Sequence, residues 1–165
     1  MIAEFEGFAY DAKVKKDTVL LMTVDKSKVI EGFEPKNDYY KRNVSFDDSM
    51  LEAVYDIYYY VKYKDCVEEN DVWYADEGQA TGLMSNVENG EITINVANSP
   101  KDESWIQYER GFATKRVNLS ECTEFFVEKK YIKRNGRSVD EIVERTSVPL
   151  NVFKNSIIIN RRANL

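Results

Sequence analysis

Apolar positions recur along this chain with two different periods. Met50, Leu51, Val54, Tyr55, Ile57, Tyr58 and Val61 follow one another at helical intervals. Ahead of them, Ser45 precedes Phe46-Asp47-Asp48, an N-cap with carboxylates in the first turn. This spacing predicts a helix over residues 46–63, with strand as the rival for its second half, where Tyr58-Tyr59-Tyr60-Val61 has high β propensity. Elsewhere the period is two. Ile92, Ile94 and Val96 alternate after Asn89-Gly90, a pair that supplies the positive φ angles of a type I′ turn, so residues 83–87 and 92–96 read as a hairpin. Residues 2–10 and 18–24 read as strands, turning around Lys15-Lys16-Asp17. Residues 72–75 read as a further strand, as do 105–117, where Gly111 marks a bulge. Residues 26–43, with Gly32 and Pro35, form loop or weak strand, and 68–71 form a solvated loop.

From Leu119 the period changes again. Leu119, Cys122, Phe125, Phe126 and Ile132 fit a helix that ends at Asn135-Gly136. A strand over 125–132 with an Asn-Gly hairpin is the alternative, and the helix start that follows favours the helix. That start is Ser138 with Glu141, a capping box, ahead of Val139, Ile142 and Val143 at helical spacing. Thr146 and Ser147 interrupt the run, and Pro149 suits the first turn of another helix. This last helix carries Val152, Phe153, Ser156 and Ile157 on one side, with Asn151, Lys154 and Asn155 outward.

Two short helices joined by a tight turn resemble the helix-turn-helix superfamily of DNA-binding domains. In that pattern Val143 takes the small-residue position, Ser147 the glycine position, Val148 the aliphatic one and Phe153 the inward one. With the helix before them, residues 119–157 become a three-helix unit. The expected fold class is therefore α+β: an antiparallel sheet with one packed helix, followed by a C-terminal three-helix helix-turn-helix unit.

Charge supports the same division. The net charge is −6, but residues 1–113 hold 12 Lys and Arg against 23 Asp and Glu, a balance of −11, whereas residues 114–165 hold 11 against 6, a balance of +5. An acidic α+β domain over 1–113 would repel a phosphate backbone, and a basic helical domain over 114–165 would attract one. The resemblance then implies base contacts from Asn151, Lys154 and Asn155. Phosphate contacts would come from Lys133, Arg134, Arg137, Arg161 and Arg162.

Candidate chemistry is sparse. The chain has no histidine, which removes the usual general base, the usual nucleophile partner and the commonest zinc ligand. Cys66 and Cys122 are far apart with no CxxC spacing, so both read as reduced, buried thiols of a cytoplasmic protein. The clusters Asp47-Asp48, Glu68-Glu69-Asn70-Asp71 and Asp76-Glu77 lack the spacing of a cation loop. Gly78 and Gly82 are not followed by Gly-Lys-Ser or Gly-Lys-Thr, so they make no phosphate loop. No apolar run reaches the roughly 18 residues of a membrane span. No enzyme activity, metal or cofactor is expected.

Tyr39, Tyr40, Tyr55, Tyr58, Tyr59, Tyr60 and Tyr63 form an unusual concentration. Tyr55, Tyr58, Tyr59 and Tyr63 are candidates for a protein-contact patch. The leading expectation is a small cytoplasmic regulator that binds duplex DNA through its C-terminal unit, with the acidic domain supplying dimerisation or partner binding. The alternative is an interaction protein or inhibitor of the kind phages and mobile elements carry. Its acidic, tyrosine-rich surface would dock on a nucleic-acid-binding protein. A single-stranded nucleic-acid binder built on the early strands is opposed by the acidic charge of that domain.

Overall fold

Alternation, not a helical repeat, governs the longest segments of the chain. The computed structural model describes residues 1–63, 72–75, 87–97, 104–109 and 112–162. Strands β1 (Ile2–Phe5), β2 (Phe8–Lys15), β3 (Thr18–Thr23), β4 (Glu34–Lys36), β5 (Tyr39–Ser45) and β6 (Leu51–Tyr63) come first. They are followed by β7 (Val72–Ala75), β8 (Glu91–Ala97), β9 (Ile106–Glu109), β10 (Phe112–Asn118), β11 (Cys122–Arg134) and β12 (Arg137–Ser147). One complete α-helix, α1 (Leu150–Arg162), is present among the described residues.

The chain divides into two units. The first comprises Met1–Ile57 with Lys129–Glu144, and the second Tyr58–Glu128 with Arg145–Arg161. Strands β6, β11 and β12 each contribute residues to both, and each unit takes residues from both sides of the charge boundary near residue 114.

In the first unit the strand order is β4-β5-β3-β2-β1-β6, and each of these neighbours is antiparallel. Short turns set the register, as the sequence expects around Lys15 and Asp17: Lys15 pairs with Thr18, and Lys16 takes a φ of 53° between them. Glu6 and Gly7, at φ 48° and 80°, turn β1 into β2. A bulge then separates the two faces. Glu4 lies opposite Ala53 and Phe5 opposite Leu51, so Glu52 is the extra residue of β6. Ala3, Phe5, Tyr10, Ala12, Val19, Leu21, Val44, Leu51 and Val54 pack as one buried cluster. Ile2, Ala53, Tyr55 and Tyr131 pack as another. One buried group fits poorly: Asp11 on β2 has an Oδ1 with no hydrogen-bond partner. Burial pushes its carboxyl up to about 7, against the pull of nearby positive charge that includes Lys28.

In the second unit the order is β6-β7-β8-β10-β9, again antiparallel. Helix α1 buries Phe153 and Ile157 completely. The Phe153 ring meets Tyr59 edge-on at 5.7 Å and Phe125 at 5.1 Å, and the Tyr59 hydroxyl donates to the Ser156 carbonyl at 3.1 Å. Cys122 is buried, and burial beside Glu121 pushes its thiol up to about 12. Cys66 lies outside the described residues, as do 68–71.

The expected three-helix C-terminal unit is absent, and the α+β class with it. Residues 122–134 and 137–147 are the strands β11 and β12, and Asn135-Gly136 is the hairpin turn between them, with φ of 51° and 72°. The capping-box residues Ser138 and Glu141 both lie exposed on β12. Only the last of the three helices exists. Phe153 and Ile157 face inward on it as expected, whereas Val152 is exposed. Residues 51–63 are strand, not helix, because every odd position from Leu51 to Tyr63 is apolar and six of these seven are buried. Ser45 and Asp48 do cap backbone N–H groups, of Asp47 and Met50, but in a turn that leads into a strand. The helical reading of β11 has a physical source: Cys122, Phe125, Glu128 and Tyr131 are buried at every third residue, as on a helix. A long strand covered on both faces does not have to alternate. The turn at Asn89-Gly90 exists, with Gly90 at φ 84°, but Val87 and Glu88 before it are helical. The remainder of that expected strand, 83–86, lies outside the described residues.

Candidate functional site

The Asn135-Gly136 turn starts a long strand that is exposed at all but one of its residues. Positive φ at both positions is what a two-residue type I′ hairpin requires. The Gly136 N–H donates to the Glu52 carbonyl at 2.8 Å, so the bulged residue of β6 holds the tip in place. Beyond the tip, β12 pairs with β11 and with no other described strand. Its residues are exposed on both faces throughout, Val139 alone being half-buried. Ile142 is 39% and Val143 50% exposed, adjacent apolar residues on a strand whose alternation is broken at Glu141, where φ is 32°. A non-glycine residue in that region is strained.

The strand beside it is firmly anchored in the first unit. Lys133 of β11 is only 1% exposed, and its ammonium donates to the carbonyls of Phe46 and, at 3.1 Å, Asp48. The same ammonium lies 5.4 Å from the centre of the Phe46 ring. Desolvation lowers its pKa, while Asp47 and Asp48 act in the opposite direction. Arg134 pairs with Glu144 at 2.8 Å across the hairpin and lies over the Tyr131 ring at 5.0 Å. Tyr131 packs on Tyr55, over which Lys129 sits at 4.4 Å, and the Tyr55 hydroxyl donates to Glu4 at 3.0 Å. At the tip, Arg134, Asn135, Arg137, Val139 and Ile142 line a shallow depression. Two guanidinium groups and a carboxamide thus border an aliphatic floor. Arg137 is exposed, with no ion pair to a described residue.

In the second unit, Arg145 is held between two rings, 4.7 Å from that of Tyr60 and 4.6 Å from that of Phe126, with Glu128 at 3.9 Å. Burial first, and the Glu128 carboxylate second, push the Tyr60 phenol up. This cluster saturates its own charges and builds the sheet face.

The residues expected to contact DNA are placed as follows. Asn151 and Asn155 are exposed and Lys154 half-buried on α1, while Arg161 and Arg162 close that helix. Lys133 is buried under its two carbonyls, Arg134 is paired, and Arg137 stands exposed at the hairpin tip. Of the candidate tyrosines, Tyr55, Tyr59 and Tyr63 are buried and Tyr58 is half-buried. Tyr63 meets Trp105 at 6.3 Å, with Lys115 over its ring at 5.2 Å. Among the described residues, no group of three Cys, Asp or Glu side chains could hold a metal ion. No helix there is long and apolar enough to cross a membrane. The edge of β12, unpaired among the described strands, was missed by sequence reasoning. Its signal was Asn-Gly followed by a run without proline or glycine, which reads as a hairpin arm once the helix assignment is dropped. No family model, curated protein or solved structure matches this chain.

Proposed function

We propose that this chain is a non-catalytic interaction protein that accepts an extended segment of a partner protein along the edge of β12. The observation that carries this reading is that edge: eleven residues long, paired on one side only among the described strands, with Ile142 and Val143 exposed. Unpaired N–H and C=O groups in a row are a template for an added strand, and main-chain hydrogen bonds supply much of the affinity in such complexes. The net charge of −6 favours encounter with basic proteins, nucleic-acid-binding proteins among them. The contact is assigned to the edge and not to the tyrosines, most of which turn inward. Duplex recognition by a helix-turn-helix has no structural carrier here.

The test is affinity capture by the full chain from a lysate of its own cells, beside the variants Ile142→Lys and Val143→Pro. The expected result is a protein retained by the wild type and lost with both variants, each of which still melts cooperatively. Salt-sensitive retention of duplex DNA, with no protein dependent on β12, would overturn the reading.

A further inference from the structure

The depression at the hairpin tip adds a chemical preference to the edge. We infer that the tip of β12 selects a partner segment, running antiparallel to it, with an acidic residue facing Arg137, an aliphatic residue facing Val139 and Ile142, and a basic residue facing Glu141. This inference rests on the edge-binding reading above and deepens it. Arg137 and Val139 are two residues apart, so their side chains share one face of the strand. Both line the depression, together with Ile142 and the Arg134 guanidinium. Arg134 is already turned toward Glu144, which leaves Arg137 as the exposed cation of the site. A carboxylate placed opposite it completes a fork-shaped, charge-assisted pair, which lysine would satisfy less well. Three and four positions on, Asp140 and Glu141 are exposed with no ion pair to a described residue, and they call for the opposite sign.

Other occupants fit less well. A second copy of β12, antiparallel and set so that Val139 meets Ile142, places Asp140 against Glu141 twice over, and like charges directly opposed destabilise a strand pair. The Arg137–Glu144 pairs of that register would also have to draw Glu144 away from Arg134. A parallel copy in register stacks every charge on its own kind. A phosphate backbone meets Asp140, Glu141 and Glu144 on the same strand as Arg137 and Arg145, above an aliphatic floor.

The probe is a fluorescein-labelled peptide, Thr-Val-Lys-Thr-Val-Thr-Asp-Thr, whose antiparallel register sets Asp on Arg137, the two Val on Val139 and Ile142, and Lys on Glu141. Its control exchanges the Lys and the Asp. Titrated against the full chain, the first should bind more tightly than the control by roughly five- to tenfold, the scale of a partly exposed charge pair made instead of opposed. Against Arg137→Glu the two peptides should bind about equally, since each then makes one favourable and one unfavourable pair, and adding Glu141→Arg should reverse the order. Arg137→Lys should keep it with a smaller ratio. Equal affinity of the two peptides for the wild type, or no binding of either, would overturn the charge preference. Edge-dependent protein capture as described above would survive that result, so the two readings fail separately. Competition by duplex DNA, or a dimer in light scattering that Ile142→Lys converts to monomer, would also overturn the inference.

Discussion

Two of the edge strands, β4 and β12, present the same backbone chemistry and handle it in opposite ways. Strand β4 is three residues long, places Pro35 at its centre and flanks it with Glu34 and Lys36. Short length, a missing N–H and alternating charge are the usual means of blunting an edge. Strand β12 has eleven residues, no proline and a stretch of two adjacent exposed aliphatic residues. Their supports differ as well. β5, behind β4, has half-buried side chains over Tyr39–Arg42, whereas β11, behind β12, is fixed by the buried Lys133. A protected edge needs no rigid support; a receptive one gains from it, because a preorganised strand loses less entropy when a partner pairs.

The largest expected effect removes that support. Lys133→Ala removes a donor from the Phe46 and Asp48 carbonyls, the second of which keeps the Leu51 N–H, and empties a buried stem, and should cost about 3 kcal/mol. Urea denaturation reads it as a lower midpoint at constant slope. An unchanged midpoint would mean that β12 rests on no firmer strand than β4 does.

Next in size is a control placed between the edges, on β2. The Asp11 carboxyl titrates near 7 in the folded chain, well above the ordinary carboxylate range. Between about pH 4 and 7 the folded state therefore holds a proton that the unfolded state has released, and stability falls as the pH rises through that window. Asp11→Asn should raise Tm by several degrees at pH 8 and by little at pH 4. Partner capture through β12 should stay unchanged at both. A gain that is independent of pH would show that Asp11 is not held protonated by burial.

Smaller effects are expected on β12 itself. Glu141→Gly relieves a positive φ at the cost of chain entropy, and should stabilise by no more than about 1 kcal/mol. Destabilisation instead would show that the Glu141 side chain holds its neighbourhood together. Smallest of all, Ser138→Ala should stay within about 0.5 kcal/mol of wild type, because an exposed strand hydroxyl caps nothing. A loss near 1 kcal/mol is the signature of a helix cap and would reopen the helical assignment of residues 138–146.

Local signals with a short reach were legible in the sequence. The β2–β3 hairpin, the turn at Asn89-Gly90, strands β7 and β8 and the inward face of α1 all rest on turn residues or on spacing within a few positions. The single strands expected over 2–10 and 105–117, by contrast, each divide into two antiparallel strands, β1 with β2 and β9 with β10. The long strands were not legible, for two separate reasons. In β6 the apolar residues fill the odd positions and some even ones, so a helical template also finds matches; Val54 is buried between Ala53 and Tyr55 because both faces are covered, Val54 packing with Leu51 in one cluster and Ala53 with Tyr55 in the other. In β11 the burial interval of three comes from contacts on both faces, which depend on residues far away in the sequence. Ser138 and Glu141 satisfied a capping pattern that carries no information about whether a helix follows. The candidate site inherited these errors, since a free edge becomes visible only after strands have been assigned and ordered.

The strained backbone at Glu141 bears on what the edge cannot do. Indefinite stacking of chains into cross-β fibres requires flat, straight strands that repeat their hydrogen bonds without interruption. With φ at 32°, Glu141 adds a local twist to β12 that one short strand can follow but a flat, regular stack of many cannot. The same residue that lies beside the exposed Ile142 and Val143 therefore works against assemblies longer than a single added strand.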